Sequence, residues 1–426
     1  MSGCSELPSL LSASAQLPAR AWLTVGLLWF AACLNYVDRL MITTMRGSIK
    51  EAIPMTEAQF GLLTSVFLVV YAICSPFAGF LADRFNRSRV IIGSVLVWSI
   101  VTALTAYART YEQLFATRAL MGVSEAACMP ASAALIVEYH RGATRSFASG
   151  LLLSGAVAGG ALGGLGGWIA DSHGWTYAYR LLGLVGIGFA ILLVCLLRDA
   201  PTPENDPAPG SVPSRVRVGE ALAGLFTNRS YLVLLAYGCV VGVVSWSVVG
   251  WMPTYIKEQF NLTQGAAGLY TTTYLNLAAM LGMLAGGAWA DRWSLTSERA
   301  RLLVPVVGLS AAAVGVLLIA GAHLLPVALA GLVLYGFTRH FADANGMPIY
   351  CRFVSPRYRA TSWGVATSFS CVVGGAGIYA GGALRDAHVD PSRMFQIGAG
   401  CLVVGAMLVL GLCWAKPLDA TRRDAP

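Results

Sequence analysis

Hydrophobic and polar positions along this chain alternate on a long scale. Apolar runs of about 20 residues, the length of a helix that crosses a bilayer, recur near 22–44, 58–82, 89–108, 112–137, 147–170 and 175–197. A second set lies near 230–256, 264–290, 302–322, 325–351, 360–384 and 393–415. These are numbered here as spans 1 to 12. None shows the strict alternation of a membrane β-strand, and only helices and closed barrels satisfy their backbone in lipid. The pattern therefore predicts an all-α membrane protein with twelve transmembrane helices. The first run leads directly into the others and lacks a cleavage-site pattern, so it reads as a helix and not a removed signal peptide.

Polar segments divide the chain. Residues 1–20 read as a short, loosely ordered tail, 21–198 as a first six-helix bundle, 199–228 as a linker, 229–415 as a second bundle and 416–426 as a second tail. The linker reading rests on Pro201, Pro203, Pro207, Pro209 and Pro213 among polar residues. The other loops are short and leave no room for a soluble catalytic domain.

Composition agrees with a membrane protein: 56% of the residues are apolar and 12% charged, against roughly 25% charged in soluble domains. The net charge of +8 reads as topology rather than nucleic-acid binding. Of the 29 lysines and arginines, 19 fall in the tails and in the loops on the same side, 7 on the opposite side and three inside spans. That asymmetry places both termini in the cytoplasm. The ten cysteines are scattered without a C-x-x-C and read as small buried hydrophobes, so no metal site or cofactor is expected. Gly-x-x-x-x-Gly-Lys-Ser/Thr occurs nowhere.

The two halves repeat one another. Gly79-Phe80-Leu81-Ala82-Asp83-Arg84 closes span 2 and Gly287-Ala288-Trp289-Ala290-Asp291-Arg292 closes span 8, each followed by further basic residues, Arg87 and Arg89 or Arg299 and Arg301. Spans 5 and 11 are both glycine-rich: Gly155, Gly159, Gly163 and Gly167 in one, Gly374, Gly375, Gly377, Gly381 and Gly382 in the other. Small residues at that spacing let helix backbones approach closely. Repeated halves with a polar site between them are the architecture of alternating-access transporters.

Ionisable residues inside spans cost at least about 2.5–3.5 kcal/mol each on insertion scales and point to function. Span 1 carries Asn35, Asp38 and Arg39. Span 4 carries Arg118 and Glu125, seven residues apart and so on one helix face, about 10 Å along the axis. Span 10 carries Arg339, His340, Asp343 and Asn345. One reading makes the charges buried salt bridges that only position helices; Arg339 and Asp343, one turn apart, satisfy each other. The other is proton coupling, in which a buried carboxylate exchanges its arginine for a proton and frees the guanidinium to hold an anion. Asp38 and Glu125 are then the proton carriers, and Arg39 and Arg118 the substrate or relay cations. His340 reads as a satisfied histidine facing elsewhere, and Glu138 with Arg141 as gate or packing residues. Trp246, Trp251, Tyr255, Tyr270 and Tyr274 either line a substrate path or form interfacial belts.

The chain resembles the major facilitator superfamily over essentially its whole length. The resemblance rests on the Gly-x-x-x-Asp-Arg turn and its echo, with Asn86 where that motif usually carries glycine. It implies two pseudo-symmetric six-helix bundles and makes Gly79, Asp83, Arg84, Arg87, Gly287, Asp291 and Arg292 gating residues. Span 5 partly matches the superfamily's antiporter motif at Gly155, Gly159, Gly163 and Gly164, with Gly160 in place of its proline. Asp38-Arg39 and the Arg-x6-Glu of span 4 resemble the anion:cation symporters. That branch implies substrate contacts from Arg39 and from Tyr71 in span 2, although its span 5 amide is here replaced by Ser149, Ser154 and glycine. The same segments, with Asp343-Ala344-Asn345, also resemble bacterial Spinster-like transporters of lysolipids. Asn35, Arg118, Arg339, Asp343 and Asn345 complete the candidate substrate-binding set. The expectation is a secondary transporter of a small organic solute, anionic and proton-coupled, acting as a monomer in a bacterial inner membrane, with a Spinster-like carrier of lysolipids or other amphiphiles, or a proton/solute antiporter, as the alternatives. Its partners would be solute, protons and lipid, and not nucleic acid. No nucleophile–base or His/Asp constellation suggests an enzyme, and no pore-lining ring suggests a channel.

Overall fold

A computed structural model describes residues 7–140, 144–200, 218–355 and 358–414, and these residues are helical apart from short turns and loops. Span 1 is α1 (Leu7–Thr44), followed by a short α2 (Arg46–Ala52). Spans 2 and 3 are α3 (Glu57–Arg84) and α4 (Arg87–Thr105). Span 4 is split into α5 (Tyr111–Glu125) and α6 (Cys128–Tyr139), and span 5 into α7 (Arg145–Leu162) and α8 (Leu165–His173). Span 6 is α9 (Trp175–Leu196). In the second half α10 (Val218–Phe226) precedes span 7, α11 (Arg229–Gln259). Spans 8 and 9 are α12 (Gln264–Ser294) and α13 (Ala300–Ala320). Span 10 is split into α14 (Leu325–Arg339) and α15 (Phe341–Phe353), and α16 (Arg359–Asp386) and α17 (Pro391–Gly411) are spans 11 and 12. The chain forms two six-helix bundles. Eleven of the described helical stretches are both long and apolar enough to cross a membrane. The twelfth span, α12, has 31 residues; Gln264, Thr271, Thr272, Thr273, Asn276, Asp291 and Arg292 dilute its apolarity.

Three expectations change. Spans 4, 5 and 10 are not continuous helices; they break at Ala126–Ala127, Gly163–Gly164 and His340. In span 4, Pro130 has no N–H for the carbonyl of Ala126, which loosens the ladder just past Glu125. The first tail is helical from Leu7 onward, in keeping with its Leu, Ala and Gln content. The linker stretch contains α10; its residues 201–217, and the second tail, lie outside the described residues.

An even number of spans puts the two termini at one end, here the termini end, with the loops after spans 1, 3, 5, 7, 9 and 11 at the far end. The halves meet along two helix pairs. Span 2 lies against span 11, where Ser65 Oγ donates to Gly375 O at 2.5 Å and Ser368 Oγ to Ala72 O at 3.4 Å. Span 8 lies against span 5, where Thr272 Oγ1 donates to Ala161 O at 3.0 Å and accepts from Gly164 N at 3.1 Å. Among the described residues, the ion pairs that join the halves all lie at the far end, Arg46 with Glu258 and Arg385 with Glu57. At the termini end the described ties include Asp199 accepting from Ser88 N at 2.8 Å and Arg352 Nη1 donating to Glu298 O at 2.5 Å, both within a half. Among the described residues, the ion pairs between the halves thus fasten the far end.

Glycines set the close approaches inside each half. A Cβ on Gly282 would meet the carbonyl oxygen of Phe337, backbone that cannot yield. Gly282→Ala is expected to destabilise the span 8–span 10 contact by about 1–3 kcal/mol, read as a lower melting temperature of the purified protein. Gly287→Ala is the contrast: its Cβ would meet only Ala344 Cβ, at 3.7 Å, so little change is expected.

Candidate functional site

Four ionisable side chains are sealed inside the first bundle. Asp38 and Arg39 are 3% and 6% exposed, and Arg118 and Glu125 are wholly buried. Consecutive residues of a helix diverge by about 100°, so Asp38 and Arg39 do not pair. Arg39 crosses to span 4, its Nη2 lying 3.2 Å from Glu125 Oε2, and it donates to Asn35 Oδ1 at 3.3 Å. Its guanidinium carbon sits 4.8, 4.9 and 4.7 Å from the ring centres of Tyr36, Phe67 and Tyr71, an aromatic cage that suits a delocalised cation. Asp38 turns instead to span 3, accepting from Thr102 Oγ1 at 3.3 Å.

Among the described residues Arg118 has no direct carboxylate partner. Its Nη1 meets Met121 Sδ at 3.5 Å and its guanidinium lies 4.8 Å above Phe67, while Nε and Nη2 have no hydrogen-bond partner. Asp38 Oδ1, Glu125 Oε1, Asn35 Nδ2 and the Tyr179 hydroxyl are likewise unpartnered. Burying polar groups in this state costs free energy, and a cluster of them is unusual in a folded interior. Phe67, Thr102, Met121 and Tyr179 escaped the sequence reading, since nothing in their local sequence distinguishes them from packing residues.

Between the bundles is a cavity of about 280 Å³. Tyr36, Leu40 and Thr43 form its wall on the span 1 side, so Tyr36 stands between the cavity and the caged Arg39. Opposite are Trp246, Met252, Asn276, Arg339, His340 and Asp343. A second cavity of about 210 Å³ shares Trp246, Arg339, Asp343 and Ser370 with the first, so Arg339 and Asp343 stand between two chambers. They form the expected i,i+4 ion pair. His340 does not face elsewhere: it occupies the break in span 10, lines the first cavity, and has Nε2 3.6 Å from Asp343 Oδ2 while Nδ1 contacts Gly336 O at 2.6 Å. Loss of helical continuity at His340 explains the changed direction.

Other candidates fall apart from this site. Asn345 is buried, donates to Phe341 O at 2.9 Å, and lines neither cavity. Trp251 and Tyr255 are buried and bonded to the carbonyls of Ile378 and Ile319. Tyr270 and Tyr274 are exposed on the outer surface of span 8; only Trp246 of the five aromatics reaches the cavity. In the gating motif, the side chains of Gly79 and Asp83 lie outside those described. Arg84 is exposed and Arg87 pairs with Glu138; Arg141 lies outside the described residues. Asp291 pairs with Arg301 at 3.2 Å, and Arg292 is exposed. The glycine that span 8 needs there is Gly286, whose Cβ would strike Phe341, rather than Gly287.

Asn276 of span 8 lies against Gly160 of span 5 and lines the cavity, which places an amide beside span 5 although that span carries none. Its Nδ2 donates to Thr272 O at 2.8 Å. Among the described residues no group of histidine, cysteine and carboxylate side chains could hold a metal.

The sequence profile of the Major Facilitator Superfamily matches residues 28–378. The chain belongs to the major facilitator superfamily. It is 27% identical to an MFS-type efflux pump of Mycolicibacterium smegmatis, over 96% of this chain and 95% of that protein. It is 25% identical to a probable sulfoacetate transporter of Cupriavidus necator, over 91% and 92% of the two chains. Among solved structures, a bacterial homologue of the human lysosomal transporter Spinster, inward-facing and occupied, superposes with a TM-score of 0.78 at 20% identity. That superposition covers 93% of this chain and 97% of the other and establishes the shared fold. The protein is thus a multi-pass membrane transporter of this superfamily.

Proposed function

We propose that this transporter carries a small organic anion coupled to protons, with Asp38 and Glu125 as the proton-binding groups. The observation that carries the reading is the sealed Arg39–Glu125 pair, 3.2 Å apart, one tyrosine ring away from the central cavity. A proton taken up by Glu125 ends its attraction for Arg39, and the guanidinium is then left in its aromatic cage with no carboxylate paired to it among the described residues. Its planar fork matches a carboxylate, sulfonate or phosphate. Asn35 and Tyr71 hold Arg39 in place, Arg118 relays charge between Asp38 and Glu125, and Arg339 with Asp343 forms the opposing wall. The resemblance to a probable sulfoacetate transporter supports an anionic cargo. The charge asymmetry of the loops supports cytoplasmic termini, and the bacterial relatives support a bacterial inner membrane. One chain holds both halves of the site and works as a monomer.

A second reading draws on the cavity wall itself. Leu40, Val248, Val249, Met252, Leu275 and Ala279 make much of it apolar, which favours an amphiphile such as a lysolipid. Proteoliposomes holding the purified protein and an internal pH dye separate the two. Internal acidification on adding one pool among sugar acids, sulfonates or other carboxylates is the expected result. Lysolipid crossing with no dye response would replace the anion reading with the amphiphile.

A further inference from the structure

The far end is closed by more than ion pairs. Asp386, the last residue of span 11, accepts from the backbone N–H groups of Glu57 and Ala58 at 2.8 Å each. These are the first two residues of span 2, in the other half. Asp171, near the end of span 5, accepts from Gly265 N at 2.8 Å, the second residue of span 8, again in the other half. Helix N-termini leave donors unsatisfied and carry partial positive charge, so each aspartate caps a helix across the interface. The two caps are related by the same pseudo-symmetry that relates the halves, span 11 on span 2 and span 5 on span 8.

The sequence carries this as a second internal echo. Gly166-Gly167-Trp168-Ile169-Ala170-Asp171 and Gly381-Gly382-Ala383-Leu384-Arg385-Asp386 share Gly-Gly-x-x-x-Asp. The second glycine of each lies against the helix its aspartate caps: a Cβ on Gly382 would strike Glu57 O, and one on Gly167 would come within 2.9 Å of Gln264 O. The glycine brings the backbones together and the aspartate, one turn on, reaches the open donors.

The capped helices do not need these aspartates in order to form. Span 2 has its own capping box, Thr56 Oγ1 accepting from Gln59 N at 3.1 Å and Gln59 Oε1 accepting from Thr56 N at 2.9 Å. Span 8 has Thr263 Oγ1 accepting from Ala266 N at 3.2 Å. What the aspartates add is attraction between the halves. Both are solvent-exposed, which keeps each contact weak enough to break during a transport cycle. Around the span 2 cap, Arg46 and Lys50 meet Glu57 at 2.9 and 2.5 Å, and Arg385 meets Glu258 at 2.8 Å.

We propose that Asp171 and Asp386 are reciprocal latches that hold the far end shut and release when it opens. The proposal stands whatever the solute and whether or not protons drive it. It is tested by double electron–electron resonance between labels on genetically encoded keto amino acids at Glu51 and Leu324, exposed far-end positions in opposite halves. D171A and D386A are each expected to lower the ratio of closed to open molecules roughly fivefold, the usual worth of a helix cap. Together they are expected to lower it roughly 25-fold, seen as a new population at longer distance. T263A, which removes a local cap without touching either aspartate, is expected to lower the melting temperature without that population. A D171A/D386A distance distribution that superimposes on wild type, with or without a lower melting temperature, would overturn the proposal. Each single variant carries the same test if the double variant folds poorly.

Discussion

Glu125→Gln is expected to abolish proton-driven accumulation while solute exchange across the bilayer survives. The amide keeps the shape of the side chain and can still accept from Arg39, but it cannot alternate between charged and neutral forms. Coupling requires that alternation, because Arg39 is free for an anion only when its partner is neutral. The variant mimics the protonated state permanently, so a loaded carrier can reorient but a gradient cannot drive it. Stability falls as well: removing one partner of a buried ion pair typically costs about 3–5 kcal/mol, and Arg39 has only Asn35 and its aromatic cage in compensation. Asp38→Asn is expected to impair accumulation with a smaller loss of stability, since Asp38 has no ion-pair partner among the described residues and a single hydroxyl donor, Thr102. The measurement is accumulation under an imposed pH gradient alongside counterflow in the same vesicles. Full accumulation by both variants would end the coupling hypothesis for these residues.

Arg39→Lys is expected to reduce solute affinity on the order of 30-fold although it preserves the charge. A guanidinium spreads its charge over a plane that fits between Tyr36, Phe67 and Tyr71, whereas an ammonium is a compact, strongly hydrated point. Losing one of the fork's two charge-assisted hydrogen bonds to the anion costs about 2 kcal/mol, which corresponds to the stated factor. The lysine stem is also shorter, so contact with Glu125 and with a bound anion becomes one-point rather than forked. Concentration dependence of exchange separates this from a folding defect: a higher half-saturating concentration with unchanged maximal rate is the expected signature. An unchanged half-saturating concentration would show that Arg39 serves packing and not the anion.

Part of this molecule is legible without coordinates. Apolar runs long enough for a bilayer report their own helices, because lipid leaves the backbone no alternative to internal hydrogen bonds. Two copies of Gly-x-x-x-Asp-Arg announce the duplication, and the rarity of charge within the spans singles out Asp38, Arg39, Arg118, Glu125, Arg339 and Asp343. These depend on composition and local spacing, which a linear string records completely.

Tertiary structure decided how those residues are connected. Sequence neighbours suggested Asp38 with Arg39, yet helix rotation turns them to different partners, Thr102 on span 3 and Glu125 on span 4. His340 entered the cavity because span 10 breaks beneath it, and Asn276 reaches the cavity beside span 5 because Gly160 leaves room for it. Asp386 meets Glu57 across more than three hundred residues. Such pairings depend on the rotation and packing of whole helices against one another. That is a property of many distant contacts at once, and no local pattern encodes it.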